Sequence, residues 1–236
     1  MFKFCSIVSV FGLVLPFTAA AQSDPELESF FERFSSSRGG IVQLEARFVQ
    51  TTETPDETLE STGTIVYART SDDSEGIEGK RLVFRYDDPP LEYMIDGLTA
   101  YEYDPELQQI QIFELEDRPE AEAFYLGFGS DTERLTEAYA VRLQPPAESN
   151  PGGMAVALIP KGSDDALFEM VVLQLRAGDL LPVQIHILND AESETVYDVT
   201  DARVSQELDA TATTIVVSEG TAIVDQDEYV GTAPTG

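Results

Sequence analysis

Apolar residues recur at two different periods along this chain, and the switch between them lays out its elements. Leu27, Phe30, Phe31 and Phe34 stand at helical spacing and predict a helix over Pro25 to Ser37. Asp24 is its candidate N-cap, Pro25 fits the first helical position, and Glu26 and Glu28 suit the first turn. Gly39-Gly40 ends it. Its apolar face is expected to pack on a sheet.

From Val42 the period becomes two. Leu44, Ala46, Phe48 and Gln50 share one phase of a strand over Val42 to Thr52. Ile65 and Tyr67 lie in the strand Gly63 to Arg69, and Leu82, Phe84 and Tyr86 alternate with Val83 and Arg85. Leu91, Tyr93 and Ile95 follow, then Tyr101 and Tyr103 across Gly97, then Ile110 and Ile112. Turns are signalled at Asp87-Asp88-Pro89-Pro90, Asp96-Gly97 and Asp104-Pro105. Strands joined by such short turns make an antiparallel meander. Thr51 to Ser61 and Ser71 to Glu78 are polar and acidic and read as exposed loops.

Pro119 to Ala138 breaks the series. Ala121, Phe124, Tyr125, Leu126 and Phe128 suit a short helix interrupted at Gly127 and Gly129, with further helical turns over Thr132 to Ala138. Strands resume at Ala140 to Leu143, Met154 to Ile159, Phe168 to Leu175, Pro182 to Leu188, Thr195 to Val204 and Thr213 to Val217. The expected fold is mainly β with a few helices. It is a strongly curved antiparallel sheet, an incomplete β-barrel, with helices against one face and room for an apolar cavity between them.

Residues 1–21 change the picture of the cell compartment. Lys3, the apolar run Ile7 to Phe17 and Ala19-Ala20-Ala21 make a secretory signal peptide, with cleavage expected after Ala21. Cys5, the chain's one cysteine, lies inside it, so the mature protein is expected to hold no disulfide. A single domain over 22–224 and a flexible tail over 225–236 are expected. The formal net charge of −30 argues against nucleic-acid binding, which needs clustered Lys and Arg. It fits a soluble, acidic surface.

Catalytic chemistry finds little support. His186 is the only histidine, so neither a zinc cluster nor a Ser-His-acid triad is signalled. It reads as an ordinary strand residue. Walker-type loops, G-x-G-x-x-G and D-x-D-x-D-G are missing from the sequence. With 44 acids, paired carboxylates carry no information. The chain is therefore read as a non-enzyme with no cofactor and no metal.

The stretch Lys80 to Pro105, KRLVFRYDDPPLEYMIDGLTAYEYDP, adds more. Phe48-Val49-Gln50 after the first helix resembles an F-x-Q element, and Gly63 opens the next strand. Leu82 to Pro89 resembles an aromatic strand ending in a proline turn. Asp96-Gly97, Tyr103-Asp104-Pro105 and the glutamines Gln108 and Gln109 follow in order. Tyr139 to Pro145 and Leu158-Ile159-Pro160-Lys161 complete the set. This order resembles the periplasmic lipoprotein carrier family (LolA-type proteins) over roughly Phe30 to Gly220.

The resemblance implies a periplasmic monomer that shields the acyl chains of lipoproteins in its cavity. It implies three partners: acylated lipoproteins, an inner-membrane ABC-type releasing complex, and an outer-membrane acceptor where one exists. The cavity residues implied are Phe48, Ile65, Tyr67, Leu82, Phe84, Tyr86, Tyr93, Ile95 and Tyr101, with Phe124 and Phe128 from the helical insertion. The family's lid arginine falls near Glu78, so Arg81 and Arg85 are the candidates for the lid contact. Alternatives are a lipoprotein- or lipid-sensing module of the same fold, and an exported carboxylate-dependent hydrolase.

Overall fold

The computed structural model describes residues 25–70, 79–115, 125, 128, 132–162 and 168–226. Helix α1 spans Pro25–Arg38. Then come β1 (Gln43–Glu53), β2 (Thr58–Arg69), β3 (Lys80–Tyr86), β4 (Glu92–Asp96), β5 (Thr99–Asp104) and β6 (Gln109–Glu114). Helix α2 (Thr132–Ala138) leads into β7 (Tyr139–Gln144), β8 (Met154–Pro160), β9 (Met170–Leu175), β10 (Pro182–Asp190), β11 (Ser193–Ser205) and β12 (Ala222–Gln226). The α1 stripe and most of the strands thus appear where the alternation places them, while the short helix expected around Phe124 lies largely outside the described residues.

All the strands join one curved sheet of order β12-β6-β5-β4-β3-β2-β1-β11-β10-β9-β8-β7. Two antiparallel meanders, β1–β6 and β7–β11, meet where β1 pairs with β11, Phe48 facing Val199 and Gln50 facing Tyr197. The register shifts between Glu45 and Arg47, opposite Asp201, whose φ of 53° takes up the extra residue of a bulge.

Three expectations are corrected. The polar stretch 51–61 is mostly strand: β1 runs on to Glu53 and β2 begins at Thr58, leaving a short turn closed by Thr54 N–H to Glu57 O at 2.9 Å. Cross-strand pairing outweighs its polar composition. Thr213–Val217 is not a strand; it belongs to a strap over 206–221 that crosses the sheet. The last strand is instead β12, which pairs in parallel with β6, Ile223 facing Ile110. It takes residues 225 and 226 from the expected tail.

Both hydrophobic clusters lie on one face of the sheet, called inner here. In the first, Leu44, Ala46, Phe48, Ile65, Tyr67, Leu82 and Ile95 are buried together with Tyr125 and Phe128. In the second, α1 lays Phe30 and Phe34 on Val156, Leu158, Val171, Leu173 and Leu175. Arg38 pins the end of α1: its guanidinium lies over the Phe34 ring at 4.9 Å and donates from Nη2 to Leu180 O at 2.5 Å. Burial lowers its pKa to about 10, which still leaves it charged at neutral pH.

The strap occupies the outer face. Asp209 N–H donates to Gln43 Oε1 at 2.8 Å, Thr213 is buried, and Ser218 N–H donates to Tyr103 Oη at 3.2 Å. These contacts carry the chain from the side of β1 across to β6, where it becomes β12. Among the described residues, no helix is long and apolar enough to cross a membrane.

Candidate functional site

The inner faces of β1, β2, β3, β4 and β11 converge on Phe48. Its ring sits edge-on to Tyr86 at 5.2 Å, to Tyr197 at 5.7 Å and to Phe84 at 6.0 Å. Tyr86 continues the cluster to Tyr93 at 5.7 Å. Such edge-to-face pairs add roughly 0.5–1.5 kcal/mol each beyond their burial.

Gly63 makes this arrangement possible. It lies directly opposite Phe48 in β2. A Cβ there would come within 2.1 Å of Arg85 O and 2.7 Å of Phe48 Cζ. The Phe48 ring therefore lies over bare backbone, and Tyr86, the other neighbour of Gly63, closes in beside it.

The expected cavity residues divide clearly. Phe48, Ile65, Tyr67, Leu82, Ile95 and Phe128 are buried in one cluster. Phe84 and Tyr86 are half-buried against it, and Tyr93 is half-buried at its edge. Tyr67 stacks on Phe128 at 6.3 Å, with 20° between the rings. Phe124 lies outside the described residues. Tyr101 is misplaced by the sequence reading. The turn at Gly97 and Leu98 pairs Ile95 with Ala100 and Met94 with Tyr101, so Ala100 faces inward and Tyr101 outward.

Residues not anticipated complete the site. Tyr197 and Val199 come from β11, Leu181 and Ile185 from the β10 side, and Tyr125 from the insertion. Tyr125 donates its hydroxyl hydrogen to the carbonyls of Lys80 and Ile95, both at 3.1 Å, and so is tied to β3 and β4. A signal for Tyr125 existed in the aromatic run of the insertion. Tyr197 had only its strand phase, which the bulge at Asp201 interrupts.

Burial keeps these phenols neutral. It pushes Tyr67, Tyr86, Tyr125 and Tyr197 above the ordinary tyrosine range. Charged groups stand at the margin of the cluster: Arg38 and Arg69 act on Tyr67, and Asp96 and Arg81 on Tyr125. The surface on offer, the half-buried rings of Phe84, Tyr86 and Tyr197, is largely apolar, which suits a hydrocarbon.

Arg81 and Arg85 project from the outer face of the same strand. Arg81 is paired with Asp96 and donates to Thr213 O at 3.1 Å. Arg85 binds Glu92 through Nε at 3.0 Å, and the carbonyls of Ala212 and Thr214 at 2.9 and 3.2 Å. These contacts go to the strap, on the far side from Tyr125 and Phe128. His186 also faces outward and bonds Glu194 at 2.8 Å. Among the described residues no group of three or more His, Cys, Asp or Glu is placed to hold a metal ion.

The family model for the outer membrane lipoprotein carrier protein LolA matches residues 40–215. No curated protein is significantly similar in sequence. Among solved structures, an uncharacterized conserved protein from Thermus thermophilus has the same fold, with TM-score 0.53 and 11% identity over 85% of this chain and 99% of that one. A DUF1329 family protein from Desulfovibrio piger gives TM-score 0.49 and 13% identity over 81% and 98%. MucB of Pseudomonas aeruginosa, in its complex with MucA, gives 0.43 and 16% over 81% and 61%.

Proposed function

This chain belongs to the outer membrane lipoprotein carrier family, and from that premise we propose that it carries acylated lipoproteins from the inner to the outer membrane. The observation that supports it most is the half-buried aromatic cluster of Phe84, Tyr86, Tyr93 and Tyr197 around the buried Phe48. Rings of this kind bury further apolar area only when something apolar is laid on them.

The energies fit the task. A buried methylene gains about 0.8 kcal/mol, so a dozen gain on the order of 10 kcal/mol. Free acyl chains therefore do not leave a membrane unescorted, whereas a carrier with a comparable apolar face exchanges them at little net cost. A curved open sheet supplies that face without a closed barrel around it. On this reading residues 1–21 direct export and are removed, and the mature chain works in the periplasm. An ABC-type releasing complex in the inner membrane loads it, and an acceptor at the outer membrane receives the cargo. On this reading the site binds its cargo and breaks no bond.

The test uses mature protein from residue 22 onward, incubated with inner membranes that hold newly made lipoproteins. The expected result is a soluble one-to-one complex with a lipoprotein, identified by mass spectrometry. Phe84→Glu, which puts a charge among the rings, is expected to release none. A folded wild-type protein that leaves without lipoprotein overturns the carrier reading.

A further inference from the structure

The inner face changes chemistry along its length. On β1 the inward positions run Leu44, Ala46, Phe48 and then Gln50 and Thr52. Tyr197 faces Gln50 across β11, and Thr195 faces Thr52. On β10 the inward Ile185 and Ile187 give way to Asn189, the extra residue of the bulge between Leu188 and Asp190. Three adjacent strands therefore turn from apolar to polar at the same level. In a chain so rich in acids, none of these side chains is charged. The acidic pair beside them, Glu53 opposite Glu194, follows the strand alternation onto the outer face.

The hydrogen bonds in this row have a direction. Tyr86 donates its hydroxyl hydrogen to Gln50 Oε1 at 2.6 Å. That fixes the amide and turns its Nε2 toward Thr52 Oγ1 at 3.1 Å. From the other end Asn189 Nδ2 donates to Thr195 Oγ1 at 3.2 Å. The two threonine hydroxyls stand 3.5 Å apart, and only one of their two hydrogens fits between them. Among the described residues, one hydroxyl hydrogen and the second Nε2 hydrogen of Gln50 then have no acceptor. Gln50, Thr52 and Asn189 are half-buried and Thr195 is buried. Burial keeps Tyr86 protonated, so the order holds at physiological pH.

We propose that Gln50, Thr52, Thr195 and Asn189 form a subsite for the uncharged ester and amide carbonyls of an acylated ligand whose hydrocarbon lies on the Phe48 cluster. The proposal rests on the carrier reading and deepens it. Carbonyl oxygens accept without bringing protons of their own, which is what surplus donors require. The row contains no cation to receive a phosphate, and a phosphate would add negative charge to a chain already at −30. The subsite therefore favours acylated ligands whose ester and amide carbonyls come without a charged headgroup over anionic phospholipids of the same chain length, which add a phosphate beside their esters.

The experiment compares three probes: a synthetic peptide with a tripalmitoylated N-terminal cysteine, the same peptide with ether linkages replacing its two esters, and phosphatidylglycerol as a competitor. The wild-type protein is expected to bind the ester peptide about tenfold more tightly than the ether peptide, the worth of one to two hydrogen bonds. Thr52→Val and Gln50→Leu are expected to lose that preference by weakening the ester peptide far more than the ether peptide, whose remaining binding also shows that they fold. Phosphatidylglycerol is expected to compete poorly. Equal wild-type affinity for both peptides, a preference that survives both substitutions, or efficient displacement by phosphatidylglycerol overturns the subsite alone. Failure of the wild type to bind either peptide overturns the carrier reading and the subsite with it.

Discussion

The two halves of the inner face are built from the same alternation yet end in different states. In the half formed by β7 to β10, α1 lays Phe30 and Phe34 onto the strands, and Val156, Leu158, Leu173 and Leu175 are almost wholly buried. In the half around β1 to β4, the strands carry rings beside buried aliphatic side chains such as Leu44, Ile65 and Leu82, and Phe84, Tyr86 and Tyr93 remain half-buried. One half has a helix of its own to satisfy it. The other has spare apolar area and hydrogen-bonded phenols at its margin. On the proposed carrier reading, the difference separates a region whose contacts hold the fold from one whose contacts are available to a ligand.

The largest expected effect tests that division directly. Phe34→Ala removes a ring from the filled half, and with it the surface over which Arg38 lies. A loss of about 3–5 kcal/mol is expected in urea unfolding. Phe84→Ala removes a ring of the same size from the other half, where it is only half-buried, and is expected to cost about 1–2 kcal/mol. Ligand binding should respond in the opposite order: strongly weakened by Phe84→Ala, and unchanged by Phe34→Ala under conditions where that variant is folded. Equal stability losses at the two sites would erase the distinction.

Much of this division was legible in the sequence, and what was not has a physical cause. The spacing of Leu27, Phe30, Phe31 and Phe34 gave the buried stripe of α1, and strand phase gave the inward side of β1 to β4. Phase, however, is a local quantity. It resets at every turn according to the number of residues in the loop, and the two-residue turn at Gly97 and Leu98 sends Tyr101 outward. It resets again at the Asp201 bulge, which hides Tyr197 from a simple count along β11. Pairing between β1 and β11, and the parallel addition of β12, depend on contacts distant in sequence, which composition does not encode. The strap is a clearer instance. Val216 and Val217 look like a strand, but their neighbours are spent on the outer face holding Arg81, Arg85 and Tyr103.

A middle-sized effect sharpens the comparison through pH. Burial raises Tyr67, Tyr86 and Tyr125 above the value of about 10 that tyrosine has in an unfolded chain. Above that pH the unfolded chain releases protons that the folded chain keeps. Unfolding is then favoured by rising pH, while below about pH 10 the stabilisation is fully present. Stability is therefore expected to fall steadily through strongly alkaline pH, with phenolate absorbance from these residues appearing only as the chain unfolds. Tyr86→Phe should make that fall shallower. A native protein that ionises all its tyrosines near pH 10 without unfolding would show that the aromatic half is open to water.

The smallest effect separates the two faces of β3. Arg85 spans Glu92 and two strap carbonyls with a planar fork, and a lysine ammonium cannot make those three bonds in that geometry. Arg85→Lys is expected to cost about 1 kcal/mol and to speed amide exchange in the strap, most clearly at Ser218, whose N–H bonds Tyr103. Acyl binding on the inner face is expected to stay within about twofold of wild type, because the arginine points away from Phe84 and Tyr86, its neighbours in the strand. A loss of binding much larger than the loss of stability would instead mean that seating the strap sets the curvature of β3, and that the outer clamp governs what the inner face can hold.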